Sequence, residues 1–219
     1  MLSTLVCPQP VHVMGAVRLP TVHPRVSLWL DTGSNAGQEM VKGVLSYVRS
    51  HTTWRVTIPE RRHDKRSFPS KCPGDGLIAQ VDDASQAAAI ADWNIPAINV
   101  CGEYSELDLP AVEADDAKIG QLAYEHLKQL GFKHLGVCAR GGRRTSAARR
   151  RAFAKLAHAD GIEICALEAE ENFRTQQSRD EVAAWLAEQP TPLGLLATDD
   201  ALGQKVLDIC RAASTGART

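Results

Sequence analysis

The feature that most constrains the fold is a regular alternation, from Arg25 onward, of short apolar runs with longer segments of helical apolar spacing. Strands that alternate with helices of about 10 to 16 residues indicate βαβ units, and such units build parallel sheets. The predicted strands are residues 26–30, 54–58, 75–81, 96–100, 134–139, 162–169 and 193–198, and the predicted helices are residues 36–50, 84–94, 116–131, 145–161, 178–190 and 199–213. The sequence therefore predicts an α/β fold.

The strand–helix units form two series, one on either side of the connection at residues 101–115. Two small lobes, each a doubly wound parallel sheet, are therefore favoured over one larger sheet. We predict an irregular N-terminal tail at residues 1–24, an N-terminal lobe at residues 25–112, a C-terminal lobe at residues 113–213 and a short tail at residues 214–219.

The composition is that of an ordinary globular chain and excludes several classes of protein. Of the 219 residues, 44% are hydrophobic and 23% are charged, so the chain can bury a core. The net charge of -1 provides no overall field that would attract nucleic acid or an anionic membrane. The longest apolar runs are strand-sized, so no transmembrane helix is predicted. The first residues lack the basic segment of a signal peptide, and we expect a cytoplasmic protein without a membrane partner.

The sequence carries no recognisable metal, cofactor or catalytic motif. Its six cysteines and seven histidines contain no Cys-x-x-Cys pair and no zinc-type spacing. We interpret Cys101, Cys138 and Cys165, which lie in or beside predicted strands, as small buried hydrophobic residues in a reducing compartment. Neither a Gly-x-Gly-x-x-Gly turn after a strand nor a P-loop occurs. We therefore expect no metal and no cofactor, and a protein that is not an enzyme.

Polar residues follow several of the predicted strands, where ligands bind in open α/β sheets. The positions after the strands are Asp31, Thr32, Asn35, Asp82, Asp83, Gly102, Glu103, Arg140, Thr198 and Asp199, and Ser146 and Arg149 lie at the start of a following helix. Carboxylates and an arginine that face one another across a cleft suit a neutral polyol, because each can hold two adjacent hydroxyls. The competing interpretation is that Asp31, Asp82, Asp115 and Asp199 are helix caps or loop residues.

The segment "RGGRRTSAARRR" at residues 140–151 contains six arginines. Gly141 and Gly142 follow a predicted strand and, with Arg140, Arg143 and Arg144, could cradle a phosphate. The charge of the segment also suggests nucleic acid. No aromatic residues are interleaved and the whole chain is nearly neutral. We therefore favour the interpretation that this segment is a solvated loop and helix face.

Ordered motifs give the sequence a resemblance to a known family. The strand "PAINV", the segment "PAVEADD", a helix that ends in "LGF" and the strand "HLGVCA" resemble the effector-binding domain of LacI/GalR-type regulators. The segment "SAARRRAFAKL" matches the family's Ser…Arg-x-x-Gly-Phe pattern with Arg149 as the arginine and Ala152 in place of the glycine. The front end, "RVSLWLDTGSNAGQEM" onward, is similar to xylose-operon regulators of the AraC type, whose sensor begins directly with the first strand.

The resemblance implies a fold and a function. The fold would be that of type I periplasmic-binding proteins, and the function would be sugar-responsive control of transcription with D-xylose as the effector. In a complete regulator the sugar would bridge two lobes, a homodimer is expected, and a helix-turn-helix domain would contact operator DNA. The candidate ligand-binding residues are Asp31, Asp82, Glu103, Arg149 and Asp199.

The sequence departs from the family after residue 213. A family sensor would continue with a Gly-x-x-Val-Pro segment and a further strand, whereas this chain reads "RAASTGART". We therefore expect the C-terminal lobe to be incomplete and the DNA-binding domain to be absent from this chain. The alternatives left open are a sugar-binding receptor of a transporter, an enzyme with a nucleotide-like site near residues 140–149, and a non-functional truncated product.

Overall fold

The computed structural model describes residues 23–59, 72, 74–104, 109–169 and 175–216. These residues form two compact units. The first unit includes the described residues up to Cys101 and residues 109–112, and the second includes residues 102–104 and the described residues from Glu113 onward. Most of the predicted N-terminal tail and the last residues of the C-terminal tail lie outside the described residues. The predicted lobe boundaries remain predictions.

The first unit is a parallel sheet flanked by helices. Its elements are β1 (Arg25–Trp29), α1 (Asn35–His51), β2 (Arg55–Thr57), β3 (Gly76–Ala79), α2 (Ala84–Trp93) and β4 (Ala97–Asn99). The strands lie in the order β2-β1-β3-β4, and every neighbouring pair is parallel. Val26, Leu28 and Leu30 form a buried cluster against Met40, Val41 and Val44 of α1. The helical spacing of these α1 residues therefore reflects one face packed on the sheet.

The second unit is also a parallel α/β structure. Its elements are α3 (Asp116–Gln129), β5 (His134–Arg140), α4 (Arg144–Ala159), β6 (Ile164–Ala169), α5 (Gln176–Ala187), β7 (Leu193–Ala197) and α6 (Asp200–Gly216). The strands lie in the order β6-β5-β7. Helix α6 continues past residue 213, where the sequence predicts its end, and includes residues 214–216.

Both faces of β5 are buried, which accounts for its nearly continuous apolar sequence. Leu135, Val137 and Ala139 pack with Tyr124 of α3 and Phe153 of α4. Cys138, on the opposite face, belongs to a second cluster with residues of α5 and α6. Successive side chains of a strand point to opposite faces, so β5 forms the centre of two cores.

The starts of α2 and α3 and the ends of α3 and α4 carry residues that favour helix caps. The Asp83 and Asp115 carboxylates accept hydrogen bonds from backbone N–H groups at the starts of α2 and α3. Gly131 and Gly161, just after α3 and α4, have φ values of 81° and 72°, a conformation that glycine adopts without strain. Every predicted strand and helix is present, and the predicted α/β fold with parallel sheets is confirmed. No helix among the described residues is long and apolar enough to cross a bilayer.

The core around β5 predicts a large loss of stability on truncation of Phe153. This side chain is fully buried, and its ring meets that of Tyr124 edge-on with centroids 5.8 Å apart. We expect Phe153→Ala to lower the free energy of unfolding by about 3–5 kcal/mol, because it leaves a cavity at the α3–α4 contact. Leu122→Ala, at a position of α3 that is 52% exposed, should cost only about 0.5 kcal/mol. Urea unfolding followed by circular dichroism would compare the two variants, and equal losses would contradict the packing described.

Candidate functional site

A paired arginine and aspartate mark the carboxyl edge of the second unit's sheet. Arg140 is the last residue of β5, and Asp199 follows the neighbouring strand β7. The Arg140 Nε and Nη2 atoms donate to the two carboxylate oxygens of Asp199 at 2.9 and 2.8 Å. This two-point geometry holds the carboxylate in one orientation. Asp199 Oδ1 also accepts from the Leu202 N–H at 2.9 Å, so Asp199 caps α6 as well.

Arg149 connects two other elements at the same edge. It lies on α4, its Nε donates to Asp116 Oδ1 at 2.8 Å, and its Nη1 donates to the carbonyl oxygen of Thr198 at 2.7 Å. Asp116 is the first residue of α3, and Thr198 follows β7. The Arg149 guanidinium therefore ties the start of α3 to the end of β7.

Two buried hydroxyls lie next to these charged side chains. The Ser146 and Thr198 hydroxyl oxygens lie 2.6 Å apart, and both residues are buried. The Thr198 hydroxyl also accepts from the Arg140 N–H at 3.2 Å. Each hydroxyl is therefore hydrogen-bonded within the protein, as burial of a polar group requires.

The charge state of Asp199 follows from these contacts. Burial of the carboxyl would raise its pKa, but the hydrogen bonds from Arg140 and the Leu202 N–H act in the opposite direction. The positive charges of Arg140 and Arg149 add to this effect, and the pKa of Asp199 lies below its ordinary value. Asp199 is therefore an anion at neutral pH, and each of its oxygens can accept more than one hydrogen bond.

In the first unit, Asp31 follows β1 in a tight turn. Its carboxylate accepts from the Gly33 N–H at 3.2 Å, and its carbonyl accepts from the Ser34 N–H at 3.1 Å. Ser34, not Asp31, caps α1. Gly37 on α1 lies so close that an added Cβ would sit 2.0 Å from the Asp31 carbonyl oxygen. The turn therefore fixes Asp31 against the start of the helix.

Asp82 follows β3, the strand next to β1, so Asp31 and Asp82 lie on the same edge of their sheet. The Asp82 side chain is exposed and accepts a contact of 3.6 Å from the Cys101 thiol. Its backbone N–H donates to Gln86 Oε1 at 2.8 Å. The neighbouring Asp83, rather than Asp82, caps α2.

Glu103 contacts the start of α4. Its Oε2 accepts from the Arg144 N–H at 2.9 Å, and its Oε1 accepts from the Thr145 hydroxyl. Its side chain is 7% exposed, compared with 22% for Arg149 and 32% for Asp199. The Glu103 carboxylate is thus the most enclosed of these three charged groups.

The predicted site residues therefore separate into groups. Within the second unit, Arg149 and Asp199 meet around Thr198, and Glu103 lies at the start of the helix that carries Arg149. Within the first unit, Asp31 and Asp82 share one edge. Sequence reasoning missed the role of Asp116 as the partner of Arg149, although the Asp-Asp pair at residues 115 and 116 is visible in the sequence.

The arginine-rich segment is largely neutralised by carboxylates. Five of its six arginines form ion pairs, which are Arg140–Asp199, Arg143–Glu103, Arg144–Glu113, Arg149–Asp116 and Arg150–Glu168. The three arginines suggested for a phosphate cradle are all among them. Among the described residues, no group of three or more His, Cys, Asp or Glu side chains could hold a metal ion.

Comparison with known proteins matches both halves of the chain. Residues 25–114 match the XylR N-terminal domain family, and residues 124–216 match the periplasmic binding protein-like domain family. The xylose operon regulatory protein of Escherichia coli (strain K12) is 29% identical over 202 residues, which cover 87% of this chain and 51% of that protein. Its counterpart in Haemophilus influenzae is 23% identical over 198 residues, or 85% of this chain and 51% of that protein. The resemblance to the xylose-operon regulators is confirmed.

Solved structures give the same result for the fold. The structure of the xylose-binding transcription activator xylR aligns with a TM-score of 0.77 and 25% identity, covering 89% of this chain and 51% of that one. A LacI family regulator from Enterococcus faecium with bound ribose aligns with a TM-score of 0.64 at 17% identity, covering 87% of this chain and 72% of that one. The fold is of the type I periplasmic-binding-protein kind. The chain spans about half the length of the curated relatives it matches.

The lowered pKa of Asp199 predicts how stability depends on pH. The ionised carboxylate stabilises the folded state above the ordinary pKa of 3.8, and this contribution is lost as pH falls through the lower pKa of the folded state. We expect Asp199→Asn to lower stability at pH 7 by about 1.5–3 kcal/mol and to flatten its decline below about pH 4. Asparagine keeps the helix cap, so the change isolates the charge.

The matched control is Asp200→Asn, at the exposed neighbouring position in the first turn of α6. Urea unfolding from pH 3 to pH 7 would measure both variants. Equal pH profiles for Asp199→Asn and the unmodified protein would contradict the Arg140–Asp199 pairing.

Proposed function

We propose that this chain is the sugar-sensing part of a transcriptional regulator of sugar catabolism, with D-xylose as its effector. The observation that carries the proposal is the match of residues 25–114 to the XylR N-terminal domain family. Similarity to the xylose operon regulatory proteins, over 87% of the chain for the Escherichia coli protein, supports it. The polar edges of both sheets provide groups that can bind the hydroxyls of a sugar.

Direct contacts to the sugar are assigned to Asp31, Asp82, Arg149 and Asp199. A carboxylate accepts from sugar hydroxyls, and a guanidinium donates to them. Glu103, the fifth residue predicted, directs both carboxylate oxygens to α4 instead.

The pairing of Arg140 and Arg149 with aspartates favours an uncharged ligand. Arg140 and Arg149 are each matched by an aspartate within 2.9 Å. An anionic ligand such as a sugar phosphate would therefore find no excess positive charge in these two pairs. A neutral pentose can bind there without displacing a carboxylate.

The regulator would act on DNA in the cytoplasm. The arginine-rich segment at residues 140–151 does not offer a free basic surface, because five of its six arginines pair with carboxylates. We therefore assign operator contact to a DNA-binding domain other than the two units described. Sugar would alter DNA binding only to the extent that it binds one state of the regulator better than the other. A homodimer is the expected assembly, and sedimentation analysis would test it.

The second candidate function is that of a sugar-binding receptor for a transporter. An ABC-type sugar transport component from Hahella chejuensis shares the fold, with a TM-score of 0.62 at 19% identity. That similarity concerns the fold, whereas the xylose operon regulatory protein of Escherichia coli reaches 29% identity. We therefore favour the regulator, and we propose no catalytic activity for the chain.

Titration calorimetry with D-xylose tests the proposal directly. The protein should be expressed from its own gene and titrated with D-xylose, with D-glucose and fructose 1-phosphate as comparison ligands. We expect saturable binding of D-xylose and none of the phosphorylated sugar. Absence of D-xylose binding up to millimolar concentrations would reject the sugar-sensing function.

Two variants and a control locate the ligand contacts. We expect Asp31→Asn and Asp199→Asn each to weaken D-xylose binding by about tenfold or more, because each replaces a charged hydrogen-bond acceptor with a neutral one. Asp83→Asn is the matched control, since Asp83 caps α2 and asparagine caps helices equally well. Unchanged affinity in Asp199→Asn, with wild-type folding, would remove that residue from the site.

A further inference from the structure

Helix α4 begins without a capping side chain from its own sequence. Arg143 occupies the position before the helix with φ -103° and ψ 125°, and it makes no side-chain cap hydrogen bond. The first N–H groups of a helix have no partners within the helix. They are usually satisfied by Ser, Thr, Asp or Asn at this position, and an arginine cannot accept hydrogen bonds. A side-chain cap for α4 can therefore come only from another part of the chain.

Glu103 meets this requirement from 41 positions earlier in the sequence. One of its carboxylate oxygens accepts from the Arg144 N–H at 2.9 Å, and the other accepts from the Thr145 hydroxyl. The Arg143 Nε atom lies 3.5 Å from the carboxylate. A negative charge at a helix N-terminus is also favoured by the helix dipole.

Arg144 fastens the same segment to the helix. Its Nε donates to the Gly102 carbonyl oxygen, and its Nη2 donates to the Glu113 carboxylate at 2.8 Å. A Cβ added at Gly102 would sit 2.8 Å from Arg144 Nη2, so the segment lies directly against this side chain. These contacts explain why residues 102–104 belong to the second compact unit.

We propose that Glu103 is a positioning residue that caps α4 and thereby holds Ser146 and Arg149 at the carboxyl edge of the second unit's sheet. Ser146 lies in the first turn of α4, where its hydroxyl meets Thr198, and Arg149 follows less than two turns from the helix start. Loss of the cap would let this first turn fray and would loosen both contacts. Glu103 thus acts on the ligand through α4 and not by touching it, an inference that rests on the sugar-binding function proposed above.

A rescue experiment separates positioning from direct contact. Glu103→Ala should lower the midpoint of urea unfolding and weaken D-xylose binding by about tenfold. Adding Arg143→Ser to this variant places a serine at the cap position, whose backbone is already extended as a cap requires. We expect the double variant to regain both stability and affinity. The control, Glu103→Ala with Arg151→Ser, makes the same arginine-to-serine change at an exposed position within α4 and should rescue neither.

The outcomes distinguish the two roles of Glu103. If Arg143→Ser restores stability but not affinity, Glu103 contacts the sugar itself and the positioning role is wrong. If Glu103→Ala leaves the unfolding midpoint unchanged, Glu103 is not the cap of α4. Should Glu103→Ala fail to fold, Glu103→Gln, which keeps one acceptor oxygen, replaces it in the same comparison. If the unmodified protein binds no D-xylose, the proposed function fails, while the stability measurements still decide whether Glu103 is the cap.

Discussion

The polar edge of the second unit depends on the close approach of α3 and α4. A Cβ added at Gly120 of α3 would sit 2.3 Å from the carbonyl oxygen of Arg149 on α4, so only a glycine allows this distance. The approach brings Arg149 within 2.8 Å of Asp116, at the start of α3. It also allows Tyr124 and Phe153 to pack edge-on in the core below. The position of the arginine is therefore a consequence of helix packing as much as of its own contacts.

Local patterns in the sequence predict the elements well, because a half-buried helix imposes a helical period on its apolar residues and a buried strand is a short continuous apolar run. The same patterns predict which residues follow the strands, and so that Asp31 and Asp82 share an edge of one sheet and that Arg140 and Asp199 share an edge of the other. They do not predict which of these side chains pair. Arg149 and Asp116 are 33 positions apart, and their contact exists only because α3 and α4 cross at Gly120.

Helix capping shows the same limit of local rules. The sequence predicts that α4 begins at residue 145, yet the helix begins at Arg144 and the Thr145 hydroxyl donates to Glu103. Asp199 shows that capping and binding are not exclusive alternatives. Its carboxylate caps α6, pairs with Arg140 and still has acceptor capacity. The sequence alone presented these roles as competing interpretations of one residue.

The pairing of charges has a consequence for what this edge can recognise. An isolated arginine attracts any anion. An arginine paired with a carboxylate has no net charge, but the pair still presents hydrogen-bond donors and acceptors in fixed directions. Arg140 is bound at two points by Asp199, and Arg149 is neutralised through one hydrogen bond to Asp116. Both pairs are partly buried, so salt screens them weakly. Discrimination at such an edge comes from the placement of donors and acceptors, which suits the hydroxyl pattern of a sugar. The same pairs hold α3, β5, α4 and α6 together, so the groups proposed to bind the ligand also stabilise the unit that carries them.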